Sequence, residues 1–187
     1  MAATFSALLG ECEYLGHSGA AGHHRLRQCQ FWGQFQAHYR DQTAAVDIAI
    51  ASDHAGYPLK TLLAEDLRAA GHAVQDLGAT DAVASVDYPD FGRACAEAVA
   101  SGRAQFGVVV CGSGIGISIA ANRVPGARCA LVHDNLSARL SRQHNDANLI
   151  AFGARVVGSE TARDALCAFL HTPFDGGRHA DRVAKLG

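Results

Sequence analysis

From residue 46 onward, short runs rich in Val, Ile and Ala alternate with segments whose apolar residues fall at helical spacing, and the alternation repeats about every 25–30 residues. No other feature of the chain restricts its fold as tightly. The clearest run is Phe106-Gly107-Val108-Val109-Val110, apolar throughout and followed closely by glycine. Lacking polar alternation, it suits a strand buried on both faces, as in the middle of a parallel sheet. Strands are expected over 46–51, 72–77, 106–110, 128–132 and 148–152. Between them, Leu59, Leu62, Leu63, Leu67 and Ala70 mark a helix that stops at Gly71. Asp87-Tyr88-Pro89 opens a second helix ending near Gly102, and a short third follows a glycine-rich turn and reaches Asn122. A fourth leaves His133-Asp134-Asn135 and runs to Leu140, a fifth covers 161–170, and a short basic helix closes the tail beyond Gly176. Units of this kind close with right-handed crossovers that put helices on both faces of the sheet. The expected class is α/β, with a doubly wound, five-stranded parallel sheet.

Residues 1–45 do not share this pattern. They hold Trp32 and four histidines (His17, His23, His24 and His38), and Arg25, Arg27 and Arg40 are balanced by Glu11, Glu13 and Asp41. Neither a secretory signal nor an Arg-rich, acid-poor transit peptide has this composition. His23-His24 has no spaced Cys or carboxylate to complete a metal site. The segment is expected to be a poorly structured, dispensable extension to a domain over 46–187, with Val46 standing where a translation start would be expected.

Composition excludes several classes. A net charge of -2 with 18% charged residues gives no electrostatic case for nucleic acid or an anionic membrane. No apolar run approaches the roughly 18–20 residues of a membrane span. Cys12, Cys29, Cys95, Cys111, Cys129 and Cys167 are scattered, with no C-x-x-C pair, which points to reduced thiols and a cytoplasmic setting.

In doubly wound sheets, ligands bind at the carboxyl ends of the strands. After the third strand comes Cys111-Gly112-Ser113-Gly114-Ile115-Gly116. Alternate glycines let the backbone turn sharply and present N–H groups to an anion at a helix start. A helix start also lowers a thiol pKa and makes it a better base. The glycine spacing is not that of a dinucleotide-binding turn, and no Lys-Ser/Thr follows to make a P-loop. After the first strand, Ser52-Asp53-His54-Ala55-Gly56 supplies a carboxylate and an imidazole, with a helix cap as the plain alternative for Asp53. His133 and Asp134 follow the fourth strand, Asp134 as a helix cap. The polar run Ser141-Arg142-Gln143-His144-Asn145-Asp146-Ala147-Asn148 is expected as a loop carrying His144. Arg155, Arg178, His179 and Arg182 form a basic set suited to a phosphate. Placed on one sheet edge, these groups suit proton transfer on a small phosphorylated molecule.

Six motifs carry a resemblance: S-D-H-A-G (52–56), D-Y-P (87–89), V-V-C-G-S-G-I-G-I-S-I-A-A-N (109–122), S-R-Q-H-N-D-A-N (141–148), F-G-A-R-V-V-G (152–158) and G-G-R-H-x-x-R-V (176–183). In number and order they resemble the type B ribose-5-phosphate isomerase family, which also contains galactose-6-phosphate isomerase subunits. The resemblance implies a Rossmann-like three-layer sandwich and interconversion of ribose 5-phosphate and ribulose 5-phosphate, without metal or cofactor. It implies Cys111 as the base between C2 and C1, with the hydroxyl of Ser113 beside it. His144 would open the sugar ring, with Asp53 as the acidic partner at the ring oxygen. Asn145 matches a substrate-binding position, the amides of Gly112, Gly114 and Gly116 would hold the enediolate oxygen, and His54, Arg155, Arg178 and Arg182 match phosphate positions. It also implies a homodimer or homotetramer whose sites are built from two subunits. Another sugar phosphate (allose, galactose or a tetrose) remains open as substrate, as does a non-catalytic sugar-phosphate sensor.

Overall fold

A computed structural model describes residues 45–186. Apart from Ala45, the extension expected at the amino end lies outside the described residues. The elements are β1 (Asp47–Ser52), α1 (Tyr57–Ala69), β2 (Ala73–Asp76), α2 (Tyr88–Ala100), β3 (Phe106–Cys111), α3 (Ile115–Ala121), β4 (Cys129–Leu131), α4 (Asn135–Asn145), β5 (Leu149–Gly153), α5 (Ser159–His171) and α6 (Arg178–Val183). The five strands are all parallel and ordered β2-β1-β3-β5-β4. This is the doubly wound arrangement expected. Among the described residues, no helix is long and apolar enough to cross a membrane.

β3 lies at the centre, and all six of its residues are buried. Its alternation divides the core between two faces. Phe106, Val108 and Val110 pack with Leu63 and Leu67 of α1, Ala138 of α4 and Leu166 and Phe169 of α5. Val109 and Cys111 face the other way, toward Cys95 and Val99 of α2 and Ile117 of α3. The result is three layers. Pro in the first turn helps start α1 and α2, because its fixed φ suits that turn and its missing N–H is not needed there.

The elements match the expected ones with one consequential difference. The polar run after Leu140 is not a loop: α4 continues to Asn145. The buried stripe does not end with the last apolar residue. Ala138, Ser141 and Arg142 carry it on at helical spacing, and the Arg142 guanidinium lies over the Phe106 and Phe169 rings at 5.0 and 5.6 Å. Asp146, with φ 44°, ends the helix in the left-handed region. The extra length moves His144 from a loop to the last turn of α4.

Candidate active site

Two sets of functional side chains stand at opposite ends of the sheet. The first gathers around the carboxyl end of β3. Cys111 ends the strand only 3% exposed, and the Gly114 N–H donates to its sulfur at 3.1 Å. Gly114 has φ +78°, and a Cβ there would stand 2.5 Å from Leu131 Cδ1 and 2.9 Å from the Gly153 nitrogen. Only glycine fits this corner, and the corner aims its amide at the thiol. The exposed Ser113 accepts the Ile115 N–H on Oγ at 3.3 Å. Of the glycine amides expected to hold an oxyanion, that of Gly114 is therefore turned toward Cys111, and the Ile115 amide between Gly114 and Gly116 is taken by Ser113.

The turn after β5 is laced to the turn after β3. Ala154 donates to the Cys111 carbonyl at 2.9 Å, and Arg155 donates to the Gly112 carbonyl at 3.0 Å. The Arg155 guanidinium covers Gly112, its atoms 3.5–3.6 Å from where a Cβ would sit. From β1, the Asp53 N–H donates to the Val110 carbonyl at 3.2 Å. Asp53 is 6% exposed, and its Oδ1 accepts the Gly56 N–H at 2.8 Å, closing the turn ahead of α1. His54 Nδ1 accepts the Val86 N–H at 3.2 Å, so a neutral His54 carries its proton on Nε2 and is a donor there. Tyr88 also stands here, its ring against Gly116. The sequence carries Tyr88 in D-Y-P, but nothing in its spacing assigns the ring a place. Behind this edge lies Lys60, 2% exposed, its ammonium donating to both Asp76 oxygens at 2.7 and 2.9 Å and to the Ala79 carbonyl at 2.7 Å. Gly78 and Ala79 bond in turn to Ser52, so Lys60 anchors the strand end that carries Asp53.

The second set lies at the amino end of the sheet. Arg128, just before β4, donates to the carbonyls of Asn145 and Asp146 at 3.2 and 2.8 Å and to the Asp146 carboxylate at 2.8 Å. The tail joins through the Asp175 N–H, which donates to the Gln143 carbonyl at 3.1 Å. His144 and His179 then stack, with ring centroids 4.4 Å apart and planes 4° from parallel. Arg178 and Arg182 stand on α6 beside them. Burial, then the neighbouring His144, Arg178 and Arg182, hold the His179 imidazole below its ordinary value, against the pull of Asp175.

His144, Asp175 and His179 offer ligand atoms all within 4.8 Å of one another. Imidazole lone pairs lie in the ring planes, so two parallel rings do not converge on one ion at the 2.0–2.1 Å typical of zinc–nitrogen bonds. As arranged, the two rings suit stacking rather than chelation.

The expectation of a single edge is therefore corrected. Asp53, His54, Cys111, Gly112, Ser113, Gly114, Gly116 and Arg155 share the carboxyl edge, whereas His144, Asn145, Arg178 and Arg182 share the amino edge. At about 3.3 Å per residue, the length of β3 alone puts the two sets roughly 16 Å apart. A helix between parallel strands runs back along the sheet, so the end of α4 must lie where the strands begin. Asp134, as expected, caps α4 by accepting the Ser137 N–H at 2.7 Å, and that bond holds its carboxyl below the usual range.

Of the cysteines among the described residues, Cys111 is the one at a functional edge. Burial pushes the Cys95 and Cys167 thiols up to about 12 and raises that of Cys129 as well, so none of these three suits a base near neutrality.

The Ribose/Galactose Isomerase family matches residues 48–186. The chain belongs to that family. It is similar to the ribose-5-phosphate isomerase B of Escherichia coli, with 45% identity over 139 residues, covering 74% of this chain and 93% of the relative. It is 39% identical over 142 residues to the D-erythrulose-4-phosphate isomerase of Pectobacterium atrosepticum, covering 76% and 93%. The solved ribose-5-phosphate isomerase B of Clostridium thermocellum superposes with a TM-score of 0.74 at 53% identity, over 75% of this chain and 94% of that one. The family match begins inside β1 and ends beyond α6, so both edges belong to the family's domain.

Proposed function

We propose that the protein interconverts ribose 5-phosphate and ribulose 5-phosphate, in a site that pairs the carboxyl edge of one chain with the amino edge of a second copy. The division of the functional groups between two ends of one sheet carries this reading. Each group must come within about 3 Å of its own atom of one five-carbon sugar, and edges roughly 16 Å apart do not let one chain bring Cys111 and His144 to it together. A symmetric dimer brings each edge against its complement twice. Exposed apolar residues support a covered face: Ile115 and Ile119 lie one turn apart on α3, each 54% exposed, and Leu136 and Leu140 one turn apart on α4, 54% and 37% exposed.

The chemistry follows from the two half-sites. His144 gives a proton to the ring oxygen as the O1 hydroxyl gives one up to solvent, from which His144 is reprotonated, and the furanose opens to the aldehyde. The Cys111 thiolate takes the C2 proton, leaving an enediolate, and returns it to C1 as the O2 proton passes to O1. The ketose results, with no net change in protons. Asp53 and Asn145 hold the sugar, and His54 with Arg155 from one chain and Arg178 with Arg182 from the other hold the phosphate. Holding the unreactive phosphate positions the reacting carbons. A cytoplasmic place in non-oxidative pentose phosphate metabolism accompanies this proposal.

The similarity to a D-erythrulose-4-phosphate isomerase favours a second reading, a four-carbon substrate. Turnover of ribose, allose, galactose and tetrose phosphates side by side, with no metal added, decides between them. The highest kcat/KM is expected with ribose 5-phosphate, and a clear preference for another sugar would replace it. Cys111→Ser should lower kcat on the preferred substrate by about 10²–10⁴, the range for a lost acid–base group. Turnover at the wild-type rate would remove Cys111 from the mechanism.

A further inference from the structure

We infer that His179 is a positioning residue for His144: stacked face to face, the buried ring fixes the orientation of the ring that opens the sugar. The inference rests on the proposed role of His144. His179 is 8% exposed and His144 is partly exposed, so His179 is the fixed platform and His144 the ring that meets substrate. The fold builds the contact from two directions. Gly176 and Gly177 both have positive φ, 62° and 53°, and they turn the chain so that α6 begins against the end of α4. The Asp175–Gln143 backbone bond closes that junction. The parallel planes and 4.4 Å separation then place the His179 ring flat against the His144 ring.

The groups facing His179 are His144 from α4, Asp175 from the preceding turn, and Arg178 and Arg182 from α6. Two permanent cations and a second imidazole outnumber one carboxylate, and burial acts in the same sense. These influences favour the neutral form of His179, and the face-to-face contact is what lets its ring hold its neighbour in place. Orientation is what His144 otherwise lacks. At the end of a helix its ring can swing about χ1 and χ2, and a ring that swings delivers its proton along the sugar C–O bond only part of the time.

His179→Ala and His179→Phe in the full chain test this. Ala removes the platform, whereas Phe keeps a flat ring and removes both nitrogens. With ribose 5-phosphate, Ala should lower kcat/KM roughly tenfold, and Phe should restore it to within about threefold of wild type. Erythrose 4-phosphate cannot close a furanose, because its O4 carries the phosphate. On that substrate both variants should lose less than about twofold, since the ring-opening group is not needed. The pH profile of the Phe variant between about 6 and 8 should keep its wild-type shape, because the replaced ring positions His144 and does not itself carry the transferred proton. Equal losses on both substrates would overturn the inference, as would a Phe variant no better than Ala. NMR of the His144 ring protons gives a readout free of activity. A stacked neighbour shifts them upfield, and the shift should persist in Phe and vanish in Ala. Its absence from the wild-type protein would refute the stacking. An unchanged rate in His144→Ala would instead sink the proposed role of His144, which separates the two failures.

Discussion

Mixed dimers test the shared site directly, and the expected activity can be counted. Take one chain with Cys111→Ser and another with His144→Ala. In a symmetric dimer of these two, one site receives both substituted edges and is dead. The other combines an intact Cys111 edge from one chain with an intact His144 edge from the other. Hybrids purified through two different tags should therefore show about half of wild-type activity, and an unsorted equal mixture about a quarter, because only half of its dimers are hybrids. Pairing Cys111→Ser with a chain carrying Arg178→Ala and Arg182→Ala should give the same recovery. Pairing His144→Ala with that double variant should recover nothing. Both lesions then lie on amino edges, so each of the two sites receives a damaged one. The assay is isomerisation of ribose 5-phosphate by doubly tagged dimers, with each homodimer as background. If Cys111 and His144 met within one chain, no hybrid would contain an intact site and recovery would be absent throughout. Recovery in the His144 and Arg178/Arg182 pair would equally refute the division between edges.

Three further outcomes follow from the packing. Gly114→Ala places a methyl 2.5 Å from Leu131 Cδ1 at φ +78°, and should cost about 2–4 kcal/mol in denaturant unfolding while displacing the amide beside Cys111. Lys60→Met leaves the Ala79 carbonyl and the partly exposed Asp76 carboxylate without their buried donor, a loss of about 2–3 kcal/mol by the same measurement. His72 is held below its ordinary value of 6.5, first by burial and then by His171, and its Nδ1 accepts the Val46 N–H at 3.4 Å. Its folded value lies below its unfolded one, so its contribution is present above pH 6.5 and is lost as pH falls below it. The unfolding midpoint should drop on acidification below that pH, and should drop less in His72→Gln.

The sheet was legible because a fully buried strand must be apolar at every position. Phe106 to Val110 announces itself, and its alternation with helical segments makes the sheet parallel, whereas the order β2-β1-β3-β5-β4 is seen only in the fold. The carboxyl half-site was legible for the same reason, since Cys111, Asp53 and Arg155 immediately follow strands and strand ends fix an edge. The amino half-site was not. His144 follows a helix, and its edge depends on where that helix stops. The apolar pattern ends at Leu140, but Ser141 and Arg142 remain buried because a guanidinium spread over two Phe rings fills an apolar site as a hydrocarbon would. Periodicity counted on apolar residues alone misses that last turn. His179 was hidden differently. Its position in G-G-R-H reads as one more basic residue, and only the fold brings residues 144 and 179 ring to ring.

The placement of the arginines bears on why such a site would be divided. Arg155 projects from the turn after β5, bound to the same edge as Cys111, whereas Arg178 and Arg182 ride on α6, which lies against His144 at the end of α4. On the proposed reading, one phosphate is gripped by cations from both chains, and the sugar attached to it lies between the base of one and the acid of the other. The substrate is then a cross-link. Charge-assisted bonds to the phosphate favour the paired state over the separated chains, just as any ligand favours the form that binds it. That coupling places the binding energy where catalysis needs it. The contacts that hold the unreactive end of the sugar are the ones that keep Cys111 and His144 within reach of its reactive end.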